Sequence, residues 1–334
     1  MTAPLDNPDE WWPVATEAAL DSKPLARALH GTPVVVFRGA GGAPAALPDR
    51  CPHRFAPLSD GRVIDGHLQC PYHGWRFDAT GRCTLVPGFE PAPGRPLLTA
   101  LEACAEHGLI WLRRAGAADA RPRGPAATDA PVDAFWMTGH LRATLAEAAE
   151  NFLDAYHTHF VHAGWIRHDA RRQTIQVQVR KIAGGVEARY SGEERQSGLV
   201  SRLFEGSRGE SCGRFLTPGL AEIEYRDRSG ALTLLVSAWF TPERPGHLRL
   251  HARVATARGW LPAALKRLVL GVAFRAVLRQ DQRILAQVTE NRARWPDAPE
   301  PLHGAQDLLG PWIRRLLAGQ SIDDLPERTH TLRI

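Results

Sequence analysis

Cys51-Pro-His53 and Cys70-Pro-Tyr-His73 constrain this chain more than any other feature. Each pair sets one thiol and one imidazole within a turn. Sixteen residues separate the pairs, so four side chains can converge from two neighbouring loops. An iron–sulfur cluster with two thiolates on one iron and two imidazoles on the other uses that set, and the imidazoles raise its potential above that of an all-cysteine cluster. Structural zinc also takes two Cys and two His, but zinc modules group a Cys pair and then a His pair. Here each loop carries one of each, which favours iron. Pro after each Cys and Gly74 after His73 suit stiff loops closing over a cluster.

The flanking residues read CPHRFAPLSDG and CPYHGWRFDATG. They closely resemble the Rieske domain of ring-hydroxylating and demethylating oxygenases. That resemblance implies a [2Fe–2S] Rieske cluster held by Cys51, His53, Cys70 and His73. The other cysteines, Cys83, Cys104 and Cys212, have no framework spacing and read as idle thiols in a reducing compartment.

With 334 residues the chain can hold two domains, each with its own core. Residues 1–115 alternate short apolar runs, such as Thr32 to Phe37 and Gly108 to Leu112, with Gly/Pro turns, the pattern of small antiparallel sheets. Residues 116–131, rich in Ala, Pro and Gly, read as a linker. Residues 132–334 form a second, α+β domain. A helix is expected from Arg142 to about Val161, then clean strand alternations at Ile175/Val177/Val179, Ala221/Ile223/Tyr225 and Leu248/Leu250/Ala252/Val254. Turns at Gly184-Gly185, Ser229-Gly230 and Pro245-Gly246 make these an antiparallel meander with one face buried. A long helix from about Pro262 to Arg294 follows. The resemblance implies a helix-grip, START-like catalytic domain behind the all-β Rieske domain.

A net charge of +5 without basic–aromatic clusters excludes nucleic acid as an expected partner and suits an acidic electron-donor protein. The N-terminus lacks the apolar core of a secretory signal, and the apolar run Leu268 to Phe274 is too short to span a bilayer, so the expected location is the cytoplasm.

The predicted first helix of the second domain carries His157, His159 and His162 beside carboxylates. Glu147, Glu150, Asn151, Asp154 and His157 could be an ordinary solvated stripe, but three histidines in six residues fit a non-haem iron site of two His and one carboxylate. Helix geometry leaves the choice of histidines open. The string Asn151-x-x-Asp154-x-x-His157-x-x-x-x-His162 is similar to the mononuclear-iron motif of the same oxygenases, which implies His157 and His162 as ligands and requires the helix to end or bulge between them. Asp281 lies in the apolar stripe of the long helix, where a carboxylate is out of place unless paired or bound to metal. Its segment resembles the late-helix motif that supplies the third ligand, although Gln280 stands where the family often has an acid. The resemblance also implies that Asn151 and Asp154 belong to the site, with Asp154 bridging the iron site to the cluster of a neighbouring subunit; the alternative for Asp154 is to orient His157 alone, one helical turn away.

The resemblance implies a terminal oxygenase with a mononuclear Fe(II) that takes electrons from a reductase or ferredoxin, uses O2, and hydroxylates or demethylates a hydrophobic ring compound as a homotrimer. A Rieske electron carrier without oxygenase activity is the alternative. Leu234, Val236 and Trp239 are candidates to line an apolar pocket.

Overall fold

The computed structural model describes residues 10–89, 95–116, 121–169, 172–193, 208–259 and 261–334. It divides into two compact units, one formed by Asp6–Gly124 with the short segment Thr241–Pro245, the other by Pro125–Phe240 and Gly246–Ile334.

The first unit is all β among its described residues apart from short 3-10 turns. It has two three-stranded sheets and one four-stranded sheet, all antiparallel, and one of the three-stranded sheets shares a core with the four-stranded one through Val35, Phe37, Leu47, Leu58, Leu68 and Phe77. The run Thr32–Arg38 forms the middle strand of one sheet, because Val34, Val35, Val36 and Phe37 are all removed from solvent. The four-stranded sheet is assembled from Arg62–Ile64, His67–Gln69, Arg76–Phe77 and Cys83–Leu85. Cys83 is buried in the same core.

The second unit is α+β, as its sequence predicts. Its eight-stranded antiparallel sheet runs in the order Val132–Leu141, His247–Ala257, Leu232–Arg244, Leu220–Asp227, Arg208–Leu216, Gly185–Ser191, Thr174–Ile182 and Arg328–Arg333. The six strands from Thr174 to Ala257 are a simple meander, since antiparallel neighbours need only tight turns. Ile182 pairs with Gly185 across a two-residue turn, and Gly184 there has φ +71°, a left-handed conformation that glycine takes without steric cost. Helices Leu145–Leu153, Ala263–Ala293 and Gly310–Leu317 pack against the sheet.

Two expectations change. The first helix ends at Leu153 instead of running to about Val161. Asp154 is extended (φ −74°, ψ 125°), and its carboxylate accepts the backbone N–H groups of Tyr156 at 2.7 Å and His157 at 3.0 Å. This local side-chain bonding competes with helix continuation. The sheet also buries polar residues opposite its apolar face. Glu187, Glu222 and Glu224 are buried with it, because Arg180 and Arg189 reach Glu187 while Arg214 joins Glu187, Glu222 and Glu224 across neighbouring strands. Among the described residues, no helix is long and apolar enough to cross a membrane.

Candidate functional site

The two Cys/His loops fold as near copies. In the first, Cys51 N–H donates to Ala56 O and Phe55 N–H donates back to Cys51 O, both at 2.8 Å. In the second, Cys70 N–H donates to Trp75 O at 2.8 Å and Gly74 N–H to Cys70 O at 3.2 Å. The fourth residue after each cysteine, Phe55 and Gly74, is left-handed with φ +61° and +72°. Cys51 and Cys70 are buried, whereas His53 and His73 are exposed with ring centroids 4.6 Å apart. Trp75 stacks on His53 at 5.0 Å and fixes that ring. Burial, helped by the neighbouring Cys70 thiol, pushes the Cys51 thiol up to about 11. Such a pair becomes thiolate when a cation shares its site. Two inner sulfurs and two outer imidazoles are the donor set that a [2Fe–2S] cluster with mixed ligation takes.

In the second unit His157, His162 and Asp281 converge. The first comes from the 3-10 turn His157–His159, the second lies just beyond it, and Asp281 comes from the long helix. His157 Nε2 lies 3.2 Å from His162 Nε2, and Asp281 Oδ1 lies 3.5 Å from the former and 3.1 Å from the latter. Metal bonds of about 2.1 Å at right angles would set three facial ligands about 3.0 Å apart, so the spacing fits one small metal ion.

The outer contacts agree. His157 Nδ1 donates to the Asp154 carbonyl at 2.8 Å, and His162 Nδ1 donates to Gln280 Oε1 at 2.9 Å. With Nδ1 of each ring engaged outward, both Nε2 atoms are turned inward, facing each other and a carboxylate oxygen. A metal ion satisfies that arrangement. The same field acts on a proton: burial opposes a charge on His157, yet Asp154 and Asp281 outweigh it and push its pKa up to about 9. Burial likewise works against ionised Asp281, and hydrogen bonds to His157 and His162 overcome it and hold its carboxyl below the usual carboxylate range.

Asn151 donates to Asp281 Oδ1 at 2.9 Å. Within the chain, Asp154 holds the His157 backbone and sits 3.6 Å from His157 Nδ1. His159 stays outside the cluster: it is 2% exposed and its Nδ1 lies 3.3 Å from the Tyr156 carbonyl.

A cavity of about 190 Å³ opens on this cluster, with Asp154, His157, His162 and Asp281 in its wall. Leu234 and Val236 line it, as does Phe274 from the long helix. Trp239 does not line it; it packs against Trp136.

Three supporting residues escaped the sequence. Gln280 was visible only as a departure from the family pattern. Buried Arg167 holds the turn that carries His157 by donating to Ala155 O at 3.1 Å and Thr158 Oγ1 at 2.9 Å, and it pairs with buried Glu193 at 2.8 Å. Arg167 and Glu193 are 26 residues apart with no shared motif, so no sequence signal joins them.

Residues 10–101 match the Rieske [2Fe-2S] domain, and residues 141–320 match the vanillate O-demethylase oxygenase C-terminal domain. The chain is 36% identical over 165 residues to the oxygenase component of dicamba O-demethylase from Stenotrophomonas maltophilia, an alignment covering 48% of this chain and 49% of that protein. It thus spans about half the length of that relative. The vanillate O-demethylase oxygenase subunit of a Pseudomonas species is 30% identical over 232 residues, covering 67% of this chain and 63% of the relative. The crystal structure of dicamba monooxygenase bound to dicamba superimposes with a TM-score of 0.80 at 23% identity, covering 93% of this chain and 96% of the other, and so shares the fold. With both signature domains in the order the sequence implied, this chain belongs to the Rieske non-haem iron oxygenases, in the group that includes the vanillate and dicamba O-demethylase oxygenase components.

Proposed function

We propose that the chain is the terminal oxygenase component of a system that hydroxylates or oxidatively demethylates a hydrophobic, ring-containing small molecule. The observation that carries this reading is the convergence of two imidazole Nε2 atoms and a carboxylate on the wall of an apolar cavity. Cys51, His53, Cys70 and His73 would hold the Rieske cluster; His157, His162 and Asp281 would hold the mononuclear iron. When bound, the cluster supplies one-electron transfer and the iron supplies dioxygen activation.

The rest is done by the chain's own residues. The hydrogen bonds from His157 Nδ1 to Asp154 O and from His162 Nδ1 to Gln280 Oε1 fix both rings with Nε2 inward. Asn151 orients Asp281, and Arg167 braces the turn that carries His157. The apolar cavity wall excludes water and holds a ring against that face. An electron carrier without oxygenase activity has no use for this cavity or for a half-buried Asp281 between two histidines.

Partners of the expected kind are a reductase or ferredoxin, O2 and the small-molecule substrate, and the assembly is a homotrimer in the cytoplasm. Five free cysteines suit such a reducing compartment.

Iron analysis and turnover test the reading. The purified protein should hold about three irons per chain, two in the cluster and one mononuclear. With NAD(P)H and a reductase it should consume O2 only when a substrate from a panel of methoxybenzoates, alkaloids and polycyclic compounds is present. Two irons per chain and no substrate-dependent O2 uptake would leave only an electron carrier.

A further inference from the structure

Gln280 immediately precedes Asp281 on the long helix, and its Oε1 is the acceptor for His162 Nδ1 at 2.9 Å. His162 is 1% exposed, so water does not offer that Nδ1 a substitute partner. We propose that Gln280 is a positioning residue for the mononuclear metal: it selects the His162 tautomer that can bind metal, and as an amide it does so without adding charge to the site. This rests on the reading of His157, His162 and Asp281 as a metal centre.

A neutral imidazole carries its proton on one nitrogen, and the acceptor facing the other side of the ring decides which. A carbonyl oxygen at Nδ1 holds the proton there and leaves Nε2 free, pointing at Asp281 Oδ1 and His157 Nε2. Without that acceptor, the buried ring gains more by moving its proton to Nε2, where Asp281 Oδ1 lies 3.1 Å away and can accept it. The Nε2–H form cannot coordinate. Gln280 therefore acts against a competing hydrogen bond built into the site.

The amide has a second consequence. His157 also donates its Nδ1 proton to a neutral acceptor, the Asp154 carbonyl. Neither Nδ1 acceptor thus brings a charge of its own, and Asp281 is the one carboxylate of the triad. A carboxylate at position 280 would accept the same proton through a charge-assisted bond, strengthen the imidazole as a donor, and place a second negative charge next to Asp281.

The test uses Co2+ as the probe, titrated into the full chain after its mononuclear metal has been removed and with the Rieske cluster intact, and read by calorimetry and cobalt absorption. Gln280→Leu should weaken Co2+ binding by about 10–100-fold, the usual cost of removing an outer partner of a metal histidine. Gln280→Glu should bind Co2+ at least as tightly as the parent. In the parent, 15N–1H correlation spectra should show metal-free His162 as the Nδ1–H tautomer.

Parent-like Co2+ affinity in Gln280→Leu would overturn the proposal, as would Gln280→Glu losing as much affinity as Gln280→Leu, since that outcome means the position matters for packing alone. A dominant Nε2–H tautomer in the parent would overturn it as well, and this measurement stands even if Gln280→Leu fails to fold. Asp281→Ala separates the two levels of the argument. If Co2+ still binds that variant at parent affinity, the metal centre itself has been misplaced; if it does not, while Gln280→Leu binds normally, only the role of Gln280 falls.

Discussion

His159 and His162 lie three residues apart, yet only His162 turns its ring towards Asp281. Asp281→Ala should therefore empty the mononuclear site, weakening the metal by more than the roughly 10–100-fold that loss of an outer partner costs. His159→Ala should keep its iron and lose only packing, about 1–3 kcal/mol of stability in a melt. Iron lost from the His159 variant and retained in the Asp281 variant would reverse the assignment. At the other centre, His73→Ala should abolish the reduced-cluster paramagnetic signal and leave mononuclear iron in place, because the two sets of ligands sit in separate units with their own cores. A normal cluster spectrum in that variant would remove His73 from the ligand set.

Across the strands of the second unit, the buried carboxylates act as a tied series. Glu187 is 4% exposed; burial alone would raise its pKa, but hydrogen bonds led by Arg189 outweigh this and hold it at about 2. A folded-state value below the unfolded one means stability that is present above the ordinary pKa of 4.5 and lost as pH falls through about 2. The shift corresponds to roughly 3 kcal/mol. Glu187→Gln should lower stability near neutral pH and flatten its fall between these two values, measured by denaturant melts across that range. An unchanged pH profile would show that the arginines are equally satisfied without the carboxylate. Because Glu187 faces away from the cavity, metal content should not change.

For the whole molecule the decisive question is whether one chain suffices. A head-to-tail ring would let the cluster of one subunit serve the iron of the next, with Asp154 between them. Cys51→Ser would remove a proposed cluster ligand and His157→Ala a proposed iron ligand, so each protein alone should be inactive. Co-expressed and purified as mixed trimers, they should recover part of the activity, since some neighbours then combine an intact cluster with an intact iron site. Zero activity in verified mixed trimers would place electron transfer within a chain and leave Asp154 as the holder of the His157 backbone alone.

Sequence by itself determined what is encoded over short distances. The two Cys/His loops are legible because each folds on hydrogen bonds within six residues, so ligand spacing and loop geometry are one property. The meander is legible because half-buried strands alternate with period two, as in Ile175, Val177 and Val179. The long helix is legible at both ends, with Pro262 before its first residue and Arg294 after its last. Tertiary structure decided the rest. The early end of the first helix depends on a side-chain contest at Asp154 that periodicity cannot weigh, since the apolar spacing continues through Tyr156 and Phe160. The burial of Glu187, Glu222 and Glu224 depends on Arg180 and Arg214 from adjacent strands. Gln280 meets His162 from 118 positions away and Asn151 meets Asp281 from 130, so these contacts exist only once the long helix has packed across the sheet. Local preference acts over a few residues, whereas a metal site collects donors from whichever elements the core brings together.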